Sequence, residues 1–244
     1  MVGAGMKMSD IALPAGIQSQ IGRNSQQLAE SLADAVADMI EARLKVAPRA
    51  SLAVSGGSTP VPFFRALATK ALDWKRVDVL LVDERWVDEE SPDSNTRLVR
   101  ENLLQAGASD ARYFALKQPG NSPSKVLGAV ERALEQLTLP LDVLILGMGN
   151  DGHTASLFPD APELPRALAI DNPSRVVAMT PVSQPQERIT LTLRVLSAAR
   201  ETVLYLRGED KLETLAAALS EPDQVAAMPV RAFLKPGLKL FWSP

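Results

Sequence analysis

The sequence predicts an α/β protein with a doubly wound, mainly parallel sheet and helices on both faces. Three observations carry this. Five short runs are apolar along nearly their whole length instead of alternately, as strands covered on both faces are. Segments of helical periodicity fall between them. The order is repeatedly strand then helix, the alternation that builds parallel sheets.

In chain order, residues 25–46 place Leu28, Leu32, Val36, Met39, Ile40 and Leu44 at helical spacing with Glu and Asp interleaved. This is an amphipathic helix, and Pro48 ends it. SLAVS (51–55) and VDVLLV (77–82) read as buried strands with a helix over 60–71 between them. Helices over 94–105 and 122–137 precede the strand LDVLILG (141–147). RVVAMT (175–180) and TVLYLRG (202–208) are further strands, a helix follows over 209–219, and LKLFW (238–242) adds a late strand. No linker rich in Gly, Ser or Pro interrupts the 244 residues, so one domain over 1–244 is expected, with about 1–20 as a loosely ordered N-terminal segment.

Composition narrows the function. With 26 basic and 29 acidic residues the formal charge is -3, so no general electrostatic footprint favours nucleic acid or an anionic membrane, and an anion would bind at a local site. There is no cysteine, which removes disulfides, thiolate metal sites and thiol nucleophiles. No window approaches the roughly 18 apolar residues of a membrane helix, and the N-terminus lacks a long apolar core of a signal peptide. The expectation is a cytoplasmic protein, monomeric or a weak homo-oligomer.

In a parallel sheet the carboxyl ends of the strands share one edge, where ligands bind. SGGSTP (55–60), DERWVD (83–88), GMGNDGHT (147–154) and GEDK (208–211) all follow strands and should gather there. Gly56 and Gly57 permit a tight turn, while Ser58, Thr59 and Pro60 look like a helix N-cap with an early proline. Free amides and the helix dipole would then face an anion, most simply a phosphate. An ordinary capped turn explains the same residues. The stretch is neither a Walker loop nor GxGxxG.

Arg85 can fork to a phosphate or a sugar oxygen, and Asp83 beside it can bind hydroxyls or position the loop; a surface ion pair is the alternative. In the third segment Gly147, Gly149 and Gly152 make a flexible loop, Asn150 and Asp151 offer side-chain oxygens, and His153 is the only histidine. An imidazole oriented by Asp151 would accept a proton from water at neutral pH. Equally, His153 would cap a helix or satisfy buried carbonyls. One histidine does not make the usual zinc site, so no metal is expected. Arg188 alternates with apolar residues in ERITLTL and Lys211 opens a helix; charge alone leaves both as surface residues.

Taken together, SGGSTP, DERWV followed by DSNTRLVRENLL, GMGNDGHTASLFP and ERITLTLRVLSAAR, in this order, resemble the 6-phosphogluconolactonases of the pentose phosphate pathway. The likeness runs from about Ala50 to the last strand. It implies a Rossmann-like fold of the sugar-phosphate isomerase type and cofactor-free hydrolysis of a sugar-phosphate lactone, with His153 as general base and Asp151 as its orienter. It further implies a substrate site drawn from Gly56, Gly57, Ser58, Thr59, Asp83, Arg85, Asn150, Arg188 and Lys211. Glucosamine-6-phosphate deaminases share the fold, but they carry a tyrosine after the Asp-Glu pair and a glutamate five residues beyond the histidine. Arg85 and Phe158 stand there in this chain, which favours a lactonase. Asp88, Thr96 and Arg194 depart from the family's usual residues and bear on local loop shape. A deaminase-like isomerase and a non-catalytic sugar-phosphate sensor are the alternatives.

Overall fold

The computed structural model describes residues 6–244. The strands and helices, in chain order, are β1 (Gln18–Ile21), α1 (Ser25–Leu44), β2 (Ala50–Val54), α2 (Val61–Ala68), β3 (Val77–Leu81), β4 (Asp83–Arg85), α3 (Asn95–Asn102) and β5 (Arg112–Phe114). There follow α4 (Pro123–Ala133), β6 (Val143–Leu146), α5 (Leu164–Leu168), β7 (Val176–Met179), β8 (Arg188–Leu191), α6 (Leu193–Ser197), β9 (Glu201–Arg207), α7 (Asp210–Ser220) and β10 (Lys239–Ser243).

Seven strands form one sheet in the order β1-β10-β9-β6-β2-β3-β5, and every neighbouring pair is parallel. The predicted class is therefore observed. Every residue of β2, β3 and β6 is buried, which explains runs such as VLIL that are apolar at each position: both faces are covered. The chain builds outward through β2, β3 and β5, then returns to β6 beside β2 and builds the other way. The reversal between β2 and β6 opens a crevice at their carboxyl ends.

At the amino ends the sheet is closed by ion clusters. Asp78, at the start of β3, is 1% exposed and takes bidentate hydrogen bonds from Arg112 at 2.8 and 2.9 Å, and a further pair from Arg49 at 2.6 and 2.9 Å. Asp142, just before β6, accepts the Ser51 amide at 2.9 Å, while its other oxygen faces Arg43 and Arg200 at 2.8 and 3.3 Å as ion pairs without hydrogen-bond alignment.

Three expectations need correction. RVVAMT is a strand, but β7 does not join the parallel sheet. It pairs antiparallel with β8, and β8 with β4, in a separate three-stranded sheet. Asp83–Arg85 is thus itself a strand, not only a loop after one. Of the N-terminal segment expected to be loose, residues 1–5 lie outside the described residues, whereas Gln18, Ser19 and Gln20 pair in register with Lys239, Leu240 and Phe241. Finally, neither Ser58 nor Thr59 caps α2: Pro60 occupies the cap position and no side chain bonds the first turn.

Candidate active site

The crevice between β2 and β6 is a pocket of about 280 Å³. Gly56 and Thr59, Asp83 and Arg85, Gly147, Gly149 and His153, Arg188, and Lys211 all line it, so the four segments that follow strands do converge with β8. Gly57, Ser58, Asn150 and Asp151 are not lining residues but lie within two residues in sequence of ones that are. Ser58 is exposed, and Asn150 accepts a hydrogen bond from the Lys211 ammonium.

The glycine turn is shaped by close approach. A Cβ on Gly56 would lie 2.0 Å from Oδ1 of Asn95, and Gly57 has φ of +91°, where a side chain is strained. The amides of Gly56 and Gly57 donate to no backbone acceptor among the described residues. Asn95 in turn donates to the Asp83 carbonyl at 3.1 Å, tying the turn to β4. Glu84, adjacent to Asp83, is structural, because its carboxylate accepts the amides of Arg85, Asn95 and Thr96 at 2.7–2.8 Å. It thereby satisfies free amides at the positive end of α3, where Ser94 also caps the helix.

His153 sits on the loop after β6. Its Nδ1 lies 2.6 Å from Oδ1 of Asp151, which also accepts the His153 amide at 3.0 Å. Burial alone would raise the Asp151 pKa, but the hydrogen bond and charge of His153 outweigh it and hold the carboxyl below its ordinary value. The loop is tight: a Cβ on Gly149 would lie 2.2 Å from Nδ1 and Cε1 of the imidazole. Past it, Thr154 Oγ1 donates to the Gly147 carbonyl at 2.7 Å, and Ser156 Oγ donates to Asp83 at 2.6 Å. Asp83 therefore holds the histidine loop against β4 while still lining the pocket.

Phe158 links the two ends of the site. Its ring stacks on the imidazole with centroids 4.0 Å apart and planes at 28°, and the Arg188 guanidinium lies 5.7 Å from the same ring. Arg188 is not on a solvated strand face, as its alternation allowed; it is 5% exposed. Burial first, then the neighbouring Arg85 guanidinium, push its pKa down. The Nε atoms of Arg85 and Arg188 are buried with no hydrogen-bond partner among the described residues. Guanidinium groups side by side have the chemistry to receive an anion.

The structure adds residues that sequence reasoning missed: Gln184, which accepts from Arg188 at 3.2 Å, and Tyr205 and Arg207, which line the far wall. Only the strand-end position of Tyr205 and Arg207 could have flagged them. Among the described residues, no group of three or more His, Cys, Asp or Glu side chains gathers as a metal site, and no helix is long and apolar enough to cross a membrane.

Comparison with known proteins bears on this arrangement. A family model described as glucosamine-6-phosphate isomerases/6-phosphogluconolactonase matches residues 23–242. A 6-phosphogluconolactonase of Pseudomonas aeruginosa is 44% identical over 239 residues, covering 98% of this chain and 100% of that protein. The crystal structure of a 6-phosphogluconolactonase from Shewanella baltica superposes with a TM-score of 0.91 at 38% identity, covering 96% of this chain and 100% of that one. A monomeric glucosamine-6-phosphate deaminase also superposes, with a TM-score of 0.74 over 93% of this chain and 97% of its own, but at 18% identity that likeness concerns the fold alone.

Proposed function

Since this chain belongs to the glucosamine-6-phosphate isomerase/6-phosphogluconolactonase family, we propose that it hydrolyses 6-phospho-D-glucono-1,5-lactone to 6-phosphogluconate, a carboxylic ester hydrolysis. The observation that carries the reading is the Asp151–His153 pair set one aromatic ring away from the Arg85–Arg188 pair. A sugar phosphate needs a cationic seat at one end and, for lactone opening, a base at the other. Phe158 separates the two and fills the position where a deaminase would need a carboxylate.

The lactone carbonyl is already electrophilic, so catalysis needs a placed water, a base and donors to the oxyanion. In the neutral imidazole whose Nδ1–H donates to Asp151, Nε2 carries the lone pair that takes a proton from water. Water attacks the carbonyl carbon; the tetrahedral oxyanion collapses and expels the ring oxygen, which takes up the proton held by His153. The side chains Arg85 and Arg188 bind the phosphate together with the free amides of Gly56 and Gly57 and the Thr59 hydroxyl. Ser58 lies at the edge of that turn. Lys211 adds positive charge and, through Asn150, braces the histidine loop. No step calls for a metal or cofactor.

The test is lactone hydrolysis followed against the spontaneous rate, with ammonia release from glucosamine 6-phosphate as a parallel assay. Acceleration of the first with no ammonia from the second is expected. Ammonia release would instead assign a deaminase, and saturable binding of 6-phosphogluconate without acceleration would assign a sensor.

A further inference from the structure

The chain reverses direction just after His153. The Leu157 amide donates to the Thr154 carbonyl at 3.0 Å, and Ala155 between them has φ of +49°, a left-handed conformation unfavourable for a residue with a side chain. The reversal lays the ring of Phe158 over the imidazole five residues back, with centroids 4.0 Å apart and planes at 28°. Both residues line the pocket.

The other contacts of His153 fix its place but not its plane. The Gly149 amide donates to its carbonyl at 2.9 Å, and Oδ1 of Asp151 accepts its amide and faces Nδ1 at 2.6 Å. The torsion that turns an imidazole about its Cβ–Cγ bond has broad wells, so rotamer preference sets the plane only loosely. A stacked ring removes that freedom, because tilting the imidazole drives one edge into the neighbour and lifts the other out of contact.

We propose that Phe158 is a positioning residue whose ring fixes the plane of the His153 imidazole, and with it the direction of the Nε2 lone pair during proton transfer from water. The inference rests on the function proposed above. Proton transfer needs the lone pair aligned with the O–H bond, and misplacing a reacting group by about 1 Å can cost about 10²-fold. Support of the phosphate seat is the competing role, since the Arg188 guanidinium lies 5.7 Å from the same ring. That separation is close to the roughly 6 Å limit of a cation–π contact, whereas the imidazole is in direct contact, so the geometry favours the histidine. The two roles also separate in kinetics: one acts on turnover, the other on binding.

The experiment compares wild type with Phe158→Leu, which keeps an apolar group without a plane, and Phe158→Tyr, which keeps the ring. Three quantities are measured: kcat for the lactone corrected for spontaneous hydrolysis, inhibition by inorganic phosphate, and the proton NMR signals of the imidazole. His153 is the only histidine, so those signals are unambiguous. In wild type and Phe158→Tyr the imidazole protons should be shifted upfield by the stacked ring, and in Phe158→Leu that shift should disappear. With it kcat should fall by on the order of 10-fold in Phe158→Leu and stay within a few-fold in Phe158→Tyr, while phosphate inhibition is unchanged in both. Full kcat in Phe158→Leu overturns the proposal, as does an equal loss of kcat in both variants. Weakened phosphate inhibition with kcat retained overturns it in favour of support for Arg188. Imidazole protons at ordinary positions in wild type overturn it whatever the variants do. If wild type does not accelerate lactone hydrolysis, the function reading falls and this one with it; acceleration by wild type with an indifferent Phe158→Leu removes Phe158 alone.

Discussion

Arg85 and Arg188 stand directly opposite one another in the antiparallel pairing of β4 with β8, so their side chains leave the small sheet on the same face. Like charges in that relationship destabilise a sheet unless something between them compensates. Their hydrogen-bond partners are neutral, Arg85 donating to the Asp93 carbonyl at 2.8 Å and Arg188 to the Gln184 amide oxygen, while the Asp83, Glu84 and Asp93 carboxylates act on Arg188 through charge alone. Two cations held together in this way suit the phosphate seat proposed above.

Replacing Arg188 with Ala should accordingly raise KM for the lactone by roughly 10-fold or more with a smaller change in kcat, because a phosphate contact is similar in ground and transition states. Inorganic phosphate should raise the melting temperature of wild type and do so much less for the variant. Steady-state kinetics and a thermal shift series measure both. An unchanged KM would remove Arg188 from phosphate binding.

Gly149→Ala should act at the other end of the site. The added methyl would overlap the imidazole and come within 2.6 Å of Asp151 Oδ1, so the pair must shift. Displacing a base by about 1 Å can cost about 10²-fold. The expected result is a fall in kcat of that order, with the affinity for 6-phosphogluconate retained. Retained kcat would mean that the position of the pair is unimportant.

How much of this was legible beforehand differs by element. β2, β3 and β6 were readable because covered strands are apolar at every position, a local property. The small sheet was not. β4 is three residues long, and its partner β8 lies about a hundred residues away, so nothing local announces the pairing that brings Arg85 to Arg188. Arg188 looked like a polar-face residue because alternation reports periodicity, not what covers each face. Conversely, the glycines around His153 marked its loop correctly, since close backbone approach needs glycine wherever it occurs in the chain. Tyr205 carried no signal beyond its place near a strand end: a buried tyrosine in an apolar run looks the same whether its hydroxyl is bonded or not.

Acid stability should depend on Asp78. Burial would raise its pKa, but hydrogen bonds and charge from Arg112 and Arg49 outweigh that and lower it. Its stabilising contribution is thus complete above the unfolded carboxyl pKa of about 3.9 and is lost as pH falls through the lower folded value. Breaking a buried pair typically costs about 3–5 kcal/mol. Here the arginine side chains are 30% and 37% exposed and can turn to water, so Asp78→Asn should cost roughly 2–3 kcal/mol at pH 7. Denaturant unfolding across roughly pH 2–7 checks this: the gap between wild type and variant should hold above about pH 4 and narrow below it.

In the proposed mechanism the lone histidine, held by Asp151, takes a proton from water during lactone opening. The measurement that tests it most directly is kcat for 6-phosphogluconolactone, corrected for spontaneous hydrolysis, in wild type and His153→Ala, with 6-phosphogluconate affinity as the control for an intact site. General-base catalysis is worth about 10²- to 10⁴-fold, so kcat should fall by that factor while the affinity stays within a few-fold. A variant that binds 6-phosphogluconate normally and turns over at near the wild-type rate would contradict the account.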